Sequence, residues 1–403
     1  MKLTQLVLSL IVALYGAVVH AETVPILDNS LGNVSVFANT YVTTGANSIV
    51  IGNILSGGVA TTGANSSVSN NIISVGAVTI GGGSSSVGGN VISGGVSTIG
   101  NASVVGGYLT SLGAGTIGAN SKVIGNMVSD GVGTLGDTSS VGGYLWTGGA
   151  ATVGANASVA GKIEALGAIT LSASSKTNGT GTLSSMPVLT GVPSNVLHES
   201  QQIGTAQAAL NTMVPGTALP TTMTIDTTLY PGVFSAANLS TTAGITLTLD
   251  GQNKSNQSWV FNIDDYFVTG ASTKIVVINA NASDSVIWNS GGYASLGAST
   301  TFIGTILAKD YVSIGANANV TGIGDSCGGV FSASSYVSTG DGARIGGNGC
   351  SGIGSGFNIV DGTAVYGSTI PAIPEPSIYW MLAAGLFVFC LIRYRERQVV
   401  LAS

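Results

Sequence analysis

A threonine recurs eight times at an almost constant interval in the first half of the chain. The step is 18 residues, broken once by a step of 19, and the positions are Thr43, Thr61, Thr79, Thr98, Thr116, Thr134, Thr152 and Thr170. A fixed period of this length is typical of a solenoid, in which each repeat forms one coil. Because 18 is even and successive side chains of an extended chain point to opposite faces, each position faces the same way in every coil.

Three apolar columns at odd offsets from the threonines identify the interior of the coil. Offset one holds Thr44, Thr62, Ile80, Ile99, Ile117, Leu135, Val153 and Leu171; offset seven holds Val50, Val68, Val105, Val123, Val141 and Val159; offset eleven holds Ile54, Ile72, Leu109, Met127, Leu145 and Ile163. Val87 and Val91 join the last two columns once the extra glycine of Gly81–Gly83 is allowed. The threonines, at an even offset, are predicted to face outward. Corners such as Gly118-Ala119-Asn120 are typical turns, so the pattern predicts an all-β, three-sided β-helix.

Two kinds of three-sided solenoid fit an 18-residue coil. The left-handed hexapeptide helix, common in acyltransferases, requires an aliphatic residue every six positions, as in Ile117 followed by Val123. The third apolar column lies at offset eleven, where a strict hexad requires thirteen, and offset thirteen usually holds a small residue such as Ser56 or Ser129. The columns therefore favour the right-handed form, with the left-handed form as the alternative.

Composition excludes two other classes of protein. Only 7% of the 403 residues are charged, whereas 44% are apolar and are arranged periodically, which is the opposite of a disordered chain. The net charge of −6 is spread thinly and leaves no basic stripe, so nucleic acid is not an expected partner.

Both ends of the chain resemble targeting segments. Residues 1–21 combine Lys2, an apolar run and the small-residue site Val19-His20-Ala21, which is typical of a secretory signal peptide. Residues 373–403 contain Pro374-Glu375-Pro376, an apolar stretch predicted to form a transmembrane helix over 376–392, and then three arginines. This order resembles a PEP-CTERM sorting tail, which implies a temporary membrane anchor that an exosortase cuts. The alternative is a plain C-terminal anchor.

The middle of the chain is predicted to contain one helix between two sets of coils. The N-terminal coils cover residues 31–185, and a capping segment, 186–224, holds a helix over 195–213 with an apolar stripe of Val196, Ile203 and Leu210. The coil pattern then returns over 225–355, for example at Ser295 and Ser313, and residues 356–372 form a linker.

The second half of the chain resembles the ice-binding-like proteins of bacteria and microbial eukaryotes. The residues that carry the resemblance are the block Leu229–Phe234, the segment Leu247–Gly251, the two tryptophan-bearing strands around Trp259 and Trp288, and above all Leu296–Ala308. The resemblance implies a right-handed β-helix with one long helix alongside, and ice as a partner. The family has no fixed ice-binding motif, so the resemblance assigns no residue. The N-terminal coils, whose repeat is more regular, are also similar to bactofilin-type solenoids.

The outward threonines are the candidate ice-contacting residues. Two positions before them, on the same face, lie Tyr41, Val59, Ala77, Val96, Ala114, Val132, Ala150 and Ala168. A rigid, flat and uncharged wall of hydroxyls and methyls can hold an ordered water layer with little entropy cost on contact. The alternative is that threonine is present only because it suits a strand and stacks well on itself.

The sequence offers little for catalysis. The only histidine after the signal segment is His198, no cluster suits a metal ion, and the one adjacent acidic pair, Asp264-Asp265, has no basic partner. We therefore expect no enzyme activity, no cofactor and no metal. In a secreted protein, Cys327 and Cys350 are candidates for a disulfide, with two unpaired thiols as the alternative.

Two functions follow from these features. In the first, an exported, non-enzymatic protein at the cell surface or outside the cell adsorbs to ice through its Thr/Ala/Val face. In the second, the solenoid is a structural or adhesive part of an exopolysaccharide or biofilm matrix, sorted by its tail.

Overall fold

A computed structural model describes residues 23–28, 30–189, 191–324, 326, 328–347 and 356–366. The predicted signal peptide, Cys327, Cys350 and the sorting tail with its transmembrane helix lie outside the described residues. Three long parallel sheets form the three sides of one β-helix, which confirms the predicted fold class. The handedness stays a prediction. Within the described part of the chain, no helix has the length and hydrophobicity needed to cross a membrane.

Sheet 1 has 14 strands and carries the recurring threonines. Its N-terminal strands are Val42–Thr43, Ala60–Thr62, Val78–Ile80, Ser97–Ile99, Gly115–Ile117, Gly133–Leu135, Ala151–Val153 and Ile169–Leu171. Its C-terminal strands are Thr222–Met223, Leu239–Thr241, Phe267–Val268, Ala294–Leu296, Val312–Ile314 and Val337–Thr339.

Sheet 2 also has 14 strands. Its N-terminal strands are Ile49–Val50, Ser67–Val68, Ser86–Val87, Val104–Val105, Lys122–Val123, Ser140–Val141, Ser158–Val159 and Lys176–Thr177. Its C-terminal strands are Thr227–Leu229, Thr246–Asp250, Lys274–Ile278, Thr301–Ile303, Asn319–Thr321 and Arg344–Ile345.

Sheet 3 has 15 strands. Its N-terminal strands are Val34–Ala38, Asn53–Ser56, Ile72–Ser74, Val91–Ser93, Leu109–Ser111, Met127–Ser129, Leu145–Thr147, Ile163–Ala165 and Thr180–Thr182. Its C-terminal strands are Thr217–Ala218, Gly232–Ala236, Ser258–Ile263, Ser285–Ser290, Thr305–Ala308 and Gly329–Ser332. A separate three-stranded sheet joins Thr23–Pro25, Phe357–Val360 and Thr363–Tyr366.

The coils do not stack in sequence order. The first N-terminal coil lies directly on the last C-terminal coil, with Val42 opposite Val337, Val36 opposite Val330 and Val50 opposite Ile345. The N-terminal coils therefore run outward from the middle of the solenoid to one end. The chain then returns to the opposite end, and the C-terminal coils run back to this central seam.

The three predicted columns form the interior core. The members of the offset-seven and offset-eleven columns are all buried, and the offset-one column is buried from Thr44 to Val153. Leu171 is the exception, with 42% of its surface exposed, because it lies on the terminal strand of sheet 1 and no further coil covers it. In the C-terminal coils the interior is filled by aromatic rings, such as Phe261 stacked on Trp288.

The single helix, α1, spans Leu197–Asn211, shorter by two residues at each end than the predicted 195–213. The backbone N–H of Leu197 donates to Asn195 Oδ1, and the buried stripe includes Val196, Ile203 and Leu210. We call residues 183–196, which precede α1, the return segment. Gly191 lies beside the Ile92 side chain and Val196 lies beside Gly57, so this segment crosses the outer surface of sheet 3.

Buried hydrogen bonds fix α1 to the same sheet. The Gln207 amide donates to the carbonyl oxygens of Ser290 and Leu307 at 2.8 and 3.1 Å, and the Asn262 amide donates to the carbonyl oxygen of Leu210 at 2.7 Å. The covered side of the solenoid is therefore sheet 3, and neither α1 nor the return segment crosses the threonine side.

Candidate functional site

The eight threonines form a continuous row on the outer surface of sheet 1. They are paired coil to coil in one register, from Thr43 opposite Thr61 to Thr152 opposite Thr170. Their side chains are exposed or half-exposed, whereas both strand neighbours of Thr116, Gly115 and Ile117, are buried. At the usual strand spacing, the row is roughly 34 Å long.

A second row of side chains runs parallel to the threonines. It is formed by the residues two positions earlier, and Val59, Val96 and Val132 are each 43–44% exposed. Alanines occupy most of the coils between them. We call these two rows of the N-terminal coils the threonine face. Methyl groups and hydroxyl groups therefore form two parallel rows, separated by about two residues of strand, or roughly 7 Å.

Buried serines hold both edges of this face in place. At one corner, Ser121 Oγ donates to the carbonyl oxygen of Gly100 in the preceding coil at 2.8 Å. At the other corner, Ser129 Oγ donates to the carbonyl oxygens of Gly113 and Val132 at 2.9 and 3.1 Å. Equivalent cross-coil bonds are made by Ser66, Ser74, Ser85, Ser93 and Ser103, whereas Ser139 and Thr147 bond within their own coils. The coils up to Ser129 are therefore joined by side-chain bonds as well as by the sheet ladder. Such cross-coil bonds favour a rigid, flat surface.

A row of glycines lies immediately beyond the threonines, so no side chain projects from the coil at these positions. A Cβ atom added to Gly63 would lie 2.4 Å from the backbone of Gly45 and Ala46, and one added to Gly118 would lie 2.5 Å from the Asn101 side chain. These separations are shorter than any packed contact, so only glycine permits the coils to approach this closely at the corner. The glycine row therefore leaves the threonine side chains unobstructed at this corner.

The threonine face differs from the other two sides of the solenoid because it carries no charged residues and no other segment packs on it. In the N-terminal coils, none of its two rows or the adjoining glycine row contains a charged residue. The outer surface of sheet 2 carries Lys122, Lys176 and Arg344, and the outer surface of sheet 3 is covered by the return segment and α1. Within the described residues, sheet 1 therefore offers the longest uncharged and uncovered wall.

The chemistry of sheet 1 changes at the central seam. Thr43 pairs with Ser338, which continues into Ser313 and Ser295, so serines replace threonines in the three C-terminal coils nearest the seam. The valine and alanine row gives way to a stack of five tyrosines that starts at Tyr41 in the first N-terminal coil and continues across the seam through Tyr336, Tyr311, Tyr293 and Tyr266, with ring centroids 4.7–5.4 Å apart. Sequence analysis missed this stack, although each C-terminal tyrosine stands two residues before a sheet 1 serine or valine. Its rings cover one another, so mainly ring edges and hydroxyls face solvent.

The remaining candidate residues lie apart from this face. His198 at the start of α1 is exposed, and its Nε2 lies 3.0 Å from Asp28 Oδ2. Partial burial raises the pKa of Asp28, but hydrogen bonds from Gln202, Ser30 and His198 outweigh it and hold that pKa well below its usual range. Asp264 and Asp265 are exposed at a corner. No group of three or more His, Cys, Asp or Glu residues that could hold a metal ion occurs in the part of the chain that the structure describes.

Comparison with known proteins finds similarity in the region after the N-terminal coils. Residues 171–325 match the model of the family described as Ice-binding-like. The chain is 34% identical over 96 residues to Ice-binding protein 1 of Shewanella frigidimarina. The aligned region covers 24% of this chain and 11% of that protein. The chain is also 36% identical over 93 residues to an ice-binding protein of Nostoc sp.. That aligned region covers 23% of this chain and 34% of the Nostoc protein.

Solved structures of ice-binding proteins show only distant likeness. One from the Antarctic ascomycete Antarctomyces psychrotrophicus has 20% identity and a TM-score of 0.33, over 51% of this chain and 93% of its own. One from an Antarctic biological consortium has 14% identity and a TM-score of 0.37, over 82% of this chain and 95% of its own. At these values the likeness carries no argument about function.

The position of the matched region relative to the threonines is informative. All eight threonines precede residue 171, so the threonine face is built from coils that the family match does not include. The central seam nevertheless places these coils in the same three sheets as the matched region. The chain thus contains a region that matches the Ice-binding-like family model, extended at the seam by a regular array of additional coils.

Proposed function

We propose that this protein adsorbs to ice through the threonine face and that it acts without catalysis. The observation that carries the proposal is the face itself: two parallel rows of hydroxyls and methyls in one register, uncharged, uncovered and held at both edges by buried serines in most coils. Ice presents a regular array of water, and a rigid wall with regular spacing can contact it without the ordering cost that a flexible surface would have. The match of residues 171–325 to the Ice-binding-like family supports the same function.

The direct test is to spoil the flatness of the face without unfolding the coil. Thr116→Tyr combined with Thr134→Tyr places two rings in the middle of the wall, and surface changes of this kind usually alter stability by less than about 0.5 kcal/mol. Recrystallisation inhibition and thermal hysteresis should fall sharply, while the melting temperature of the protein should change little.

A matched control uses the same substitution on another side of the same part of the solenoid. Ser140→Tyr combined with Ser158→Tyr adds two rings to the outer surface of sheet 2, where both serines point away from the core. This control should keep full ice activity. If the control loses as much activity as the threonine variant, or if the threonine variant keeps its activity, the threonine face is not the ice-contacting surface.

We further propose that the chain is exported, held briefly in the membrane by residues 373–403, and released to the cell surface or the medium by an exosortase-type protease. The support is the order of sequence features at the two termini. Replacing Pro374-Glu375-Pro376 with alanines should leave the protein in the membrane fraction, whereas Pro371→Ala, just outside the motif, should not. Normal release of the triple-alanine variant would contradict this route.

The sorting tail also favours a second candidate function, a structural or adhesive role in an exopolysaccharide or biofilm matrix. In that role, the threonine ladder is a stiffening element and has no ice partner. A parent protein with no recrystallisation inhibition and no thermal hysteresis would favour this second function over the first.

A further inference from the structure

The return segment leaves a cleft where it begins to cross sheet 3. Residues Pro187–Leu189 lie opposite three successive strands, Leu109–Ser111, Met127–Ser129 and Leu145–Thr147, and the space between them is about 170 Å³. Thr110 and Val128 form its floor, and both are almost fully buried beneath the segment. We call this space, lined by Tyr108, Trp146 and Pro187–Leu189 among others, the aromatic cleft. It lies on a different side of the solenoid from the threonine face.

Aromatic rings form the open side of the aromatic cleft. Tyr108 and Trp146 line it, and Tyr144 stacks on Trp146 with ring centroids 5.1 Å apart and an interplanar angle of 11°. The other two tryptophans of the described residues, Trp259 and Trp288, are fully buried in the core. Trp146 is thus the one described tryptophan that the fold places at the surface, and a surface aromatic pair beside a cleft is typical of a recognition site.

Hydrogen bonds hold this pair in position before any ligand arrives. The indole N–H of Trp146 donates to Glu164 Oε2 at 2.8 Å, and the backbone N–H of Tyr144 donates to Asn126 Oδ1 at 2.8 Å. Both acceptors belong to neighbouring coils, so the rings are tied to the solenoid rather than to a loop. A platform fixed in this way loses little conformational entropy on binding.

The lining chemistry selects a neutral, amphipathic ligand. None of the residues that line the cleft is charged, and the nearby Glu164 carboxylate already accepts the indole N–H. Thr110, Tyr108 and Asn126, which have hydroxyl and amide groups, line the cleft beside the apolar rings, and Asn126 Oδ1 already accepts from Tyr144. A pyranose ring has this pattern of apolar faces and equatorial hydroxyls. Moreover, Tyr108, Asn126 and Tyr144 occupy equivalent positions in successive coils, so their spacing of about 4.8 Å is close to the length of one sugar unit in an extended chain.

We propose that the aromatic cleft binds a neutral glycan chain, with one sugar ring against Trp146 and the chain running along the solenoid axis. This inference does not depend on ice binding, because the two surfaces lie on different sheets. It assigns to this protein a polysaccharide contact of its own, whichever of the two candidate functions is correct.

The test uses the full-length protein and four neutral hexasaccharides: cellohexaose, laminarihexaose, chitohexaose and mannohexaose. Isothermal titration calorimetry and tryptophan fluorescence should both report saturable binding of at least one of them. Fluorescence is informative because Trp146 is the described tryptophan that a ligand can reach. Trp146→Ala and, separately, Tyr144→Ala should each weaken that binding by about tenfold or more, as expected when a central aromatic contact is removed.

Tyr230→Ala is the matched control, because Tyr230 is 55% exposed and lies outside the cleft. This variant should bind the glycan as the parent does, and the melting temperatures of all three variants should show that they are folded. The proposal is overturned if none of the four glycans binds in the millimolar range. It is also overturned if Trp146→Ala and Tyr144→Ala, both folded, bind as tightly as Tyr230→Ala.

Discussion

The strand Val104–Val105 of sheet 2 allows the inside and outside of the coil to be tested one residue apart. Val105 is fully buried between Val87 and Val123 in the interior column, whereas Val104 points outward and is 40% exposed. Val105→Asp therefore introduces a carboxyl group into the core, and Val104→Asp introduces the same group at the surface of the same strand.

The expected cost of Val105→Asp follows from the burial of the site. Losing the buried valine costs about 1.5–3 kcal/mol, and burying a carboxyl group without a partner costs about 1–3 kcal/mol even when it is protonated. The total of about 2.5–6 kcal/mol is a large part of the stability of most domains. Because each coil contacts only its neighbours, we also expect the coils beyond residue 105 to unfold first.

The cost should also depend on pH. Burial raises the pKa of the introduced carboxyl group, so between its unfolded pKa near about 3.9 and the raised folded pKa the folded state binds more protons than the unfolded state. The free energy of unfolding therefore falls as the pH rises, by up to about 1.4 kcal/mol per pH unit across that interval.

Denaturant unfolding followed by circular dichroism at pH 4 and pH 7 measures both effects. Val104→Asp should change the free energy of unfolding by less than about 0.5 kcal/mol at either pH. A larger cost for Val104→Asp than for Val105→Asp would show that the inside and outside of the coil are reversed, and equal costs would show that the two positions do not differ in burial. A cost for Val105→Asp that does not grow from pH 4 to pH 7 would show that the introduced carboxyl group reaches solvent.

The helix contacts, a corner and the hydrogen bonds of Asp28 can each be tested by one substitution. Gln207→Met removes two buried hydrogen bonds to sheet 3 carbonyl groups, although the Ser290 carbonyl still accepts from the backbone N–H of Lys309. At about 0.5–1.5 kcal/mol for each bond, the loss should be about 1–3 kcal/mol in denaturant unfolding, whereas Gln201→Met, exposed on the same helix, should cost almost nothing; equal losses would contradict the role of the buried amide. Thr138 has a φ of 56°, which disfavours a β-branched residue, so Thr138→Asn should raise the free energy of unfolding by up to about 1 kcal/mol, and a lower melting temperature would contradict this expectation. The lowered pKa of Asp28 means that its contribution to stability is present above the unfolded pKa of about 3.9 and is lost as the pH falls towards the folded value. The stability difference between the parent and Asp28→Asn should therefore shrink between pH 5 and pH 2, and a constant difference would rule out this contribution.

The sequence alone determined the coil, its interior columns and the outward row of threonines. These features are local, because a period of 18 residues and the alternation of side chains along a strand decide which residues face the core. The same reasoning failed at Leu171, where the pattern continues but the coil that would cover it does not. Periodicity cannot show where a stack ends, since that depends on what lies beyond it.

Only the tertiary structure decided how the coils are ordered and which side is covered. At the central seam Gly45 bonds to Thr339, 294 residues further along the chain, and no repeat pattern predicts that contact. The path of the return segment, which leaves sheet 1 open and creates the aromatic cleft on sheet 3, likewise depends on side chains brought together from distant coils. The sequence determined a wall of threonines because strand geometry acts within one coil, whereas packing between distant segments decided that this wall is open to solvent.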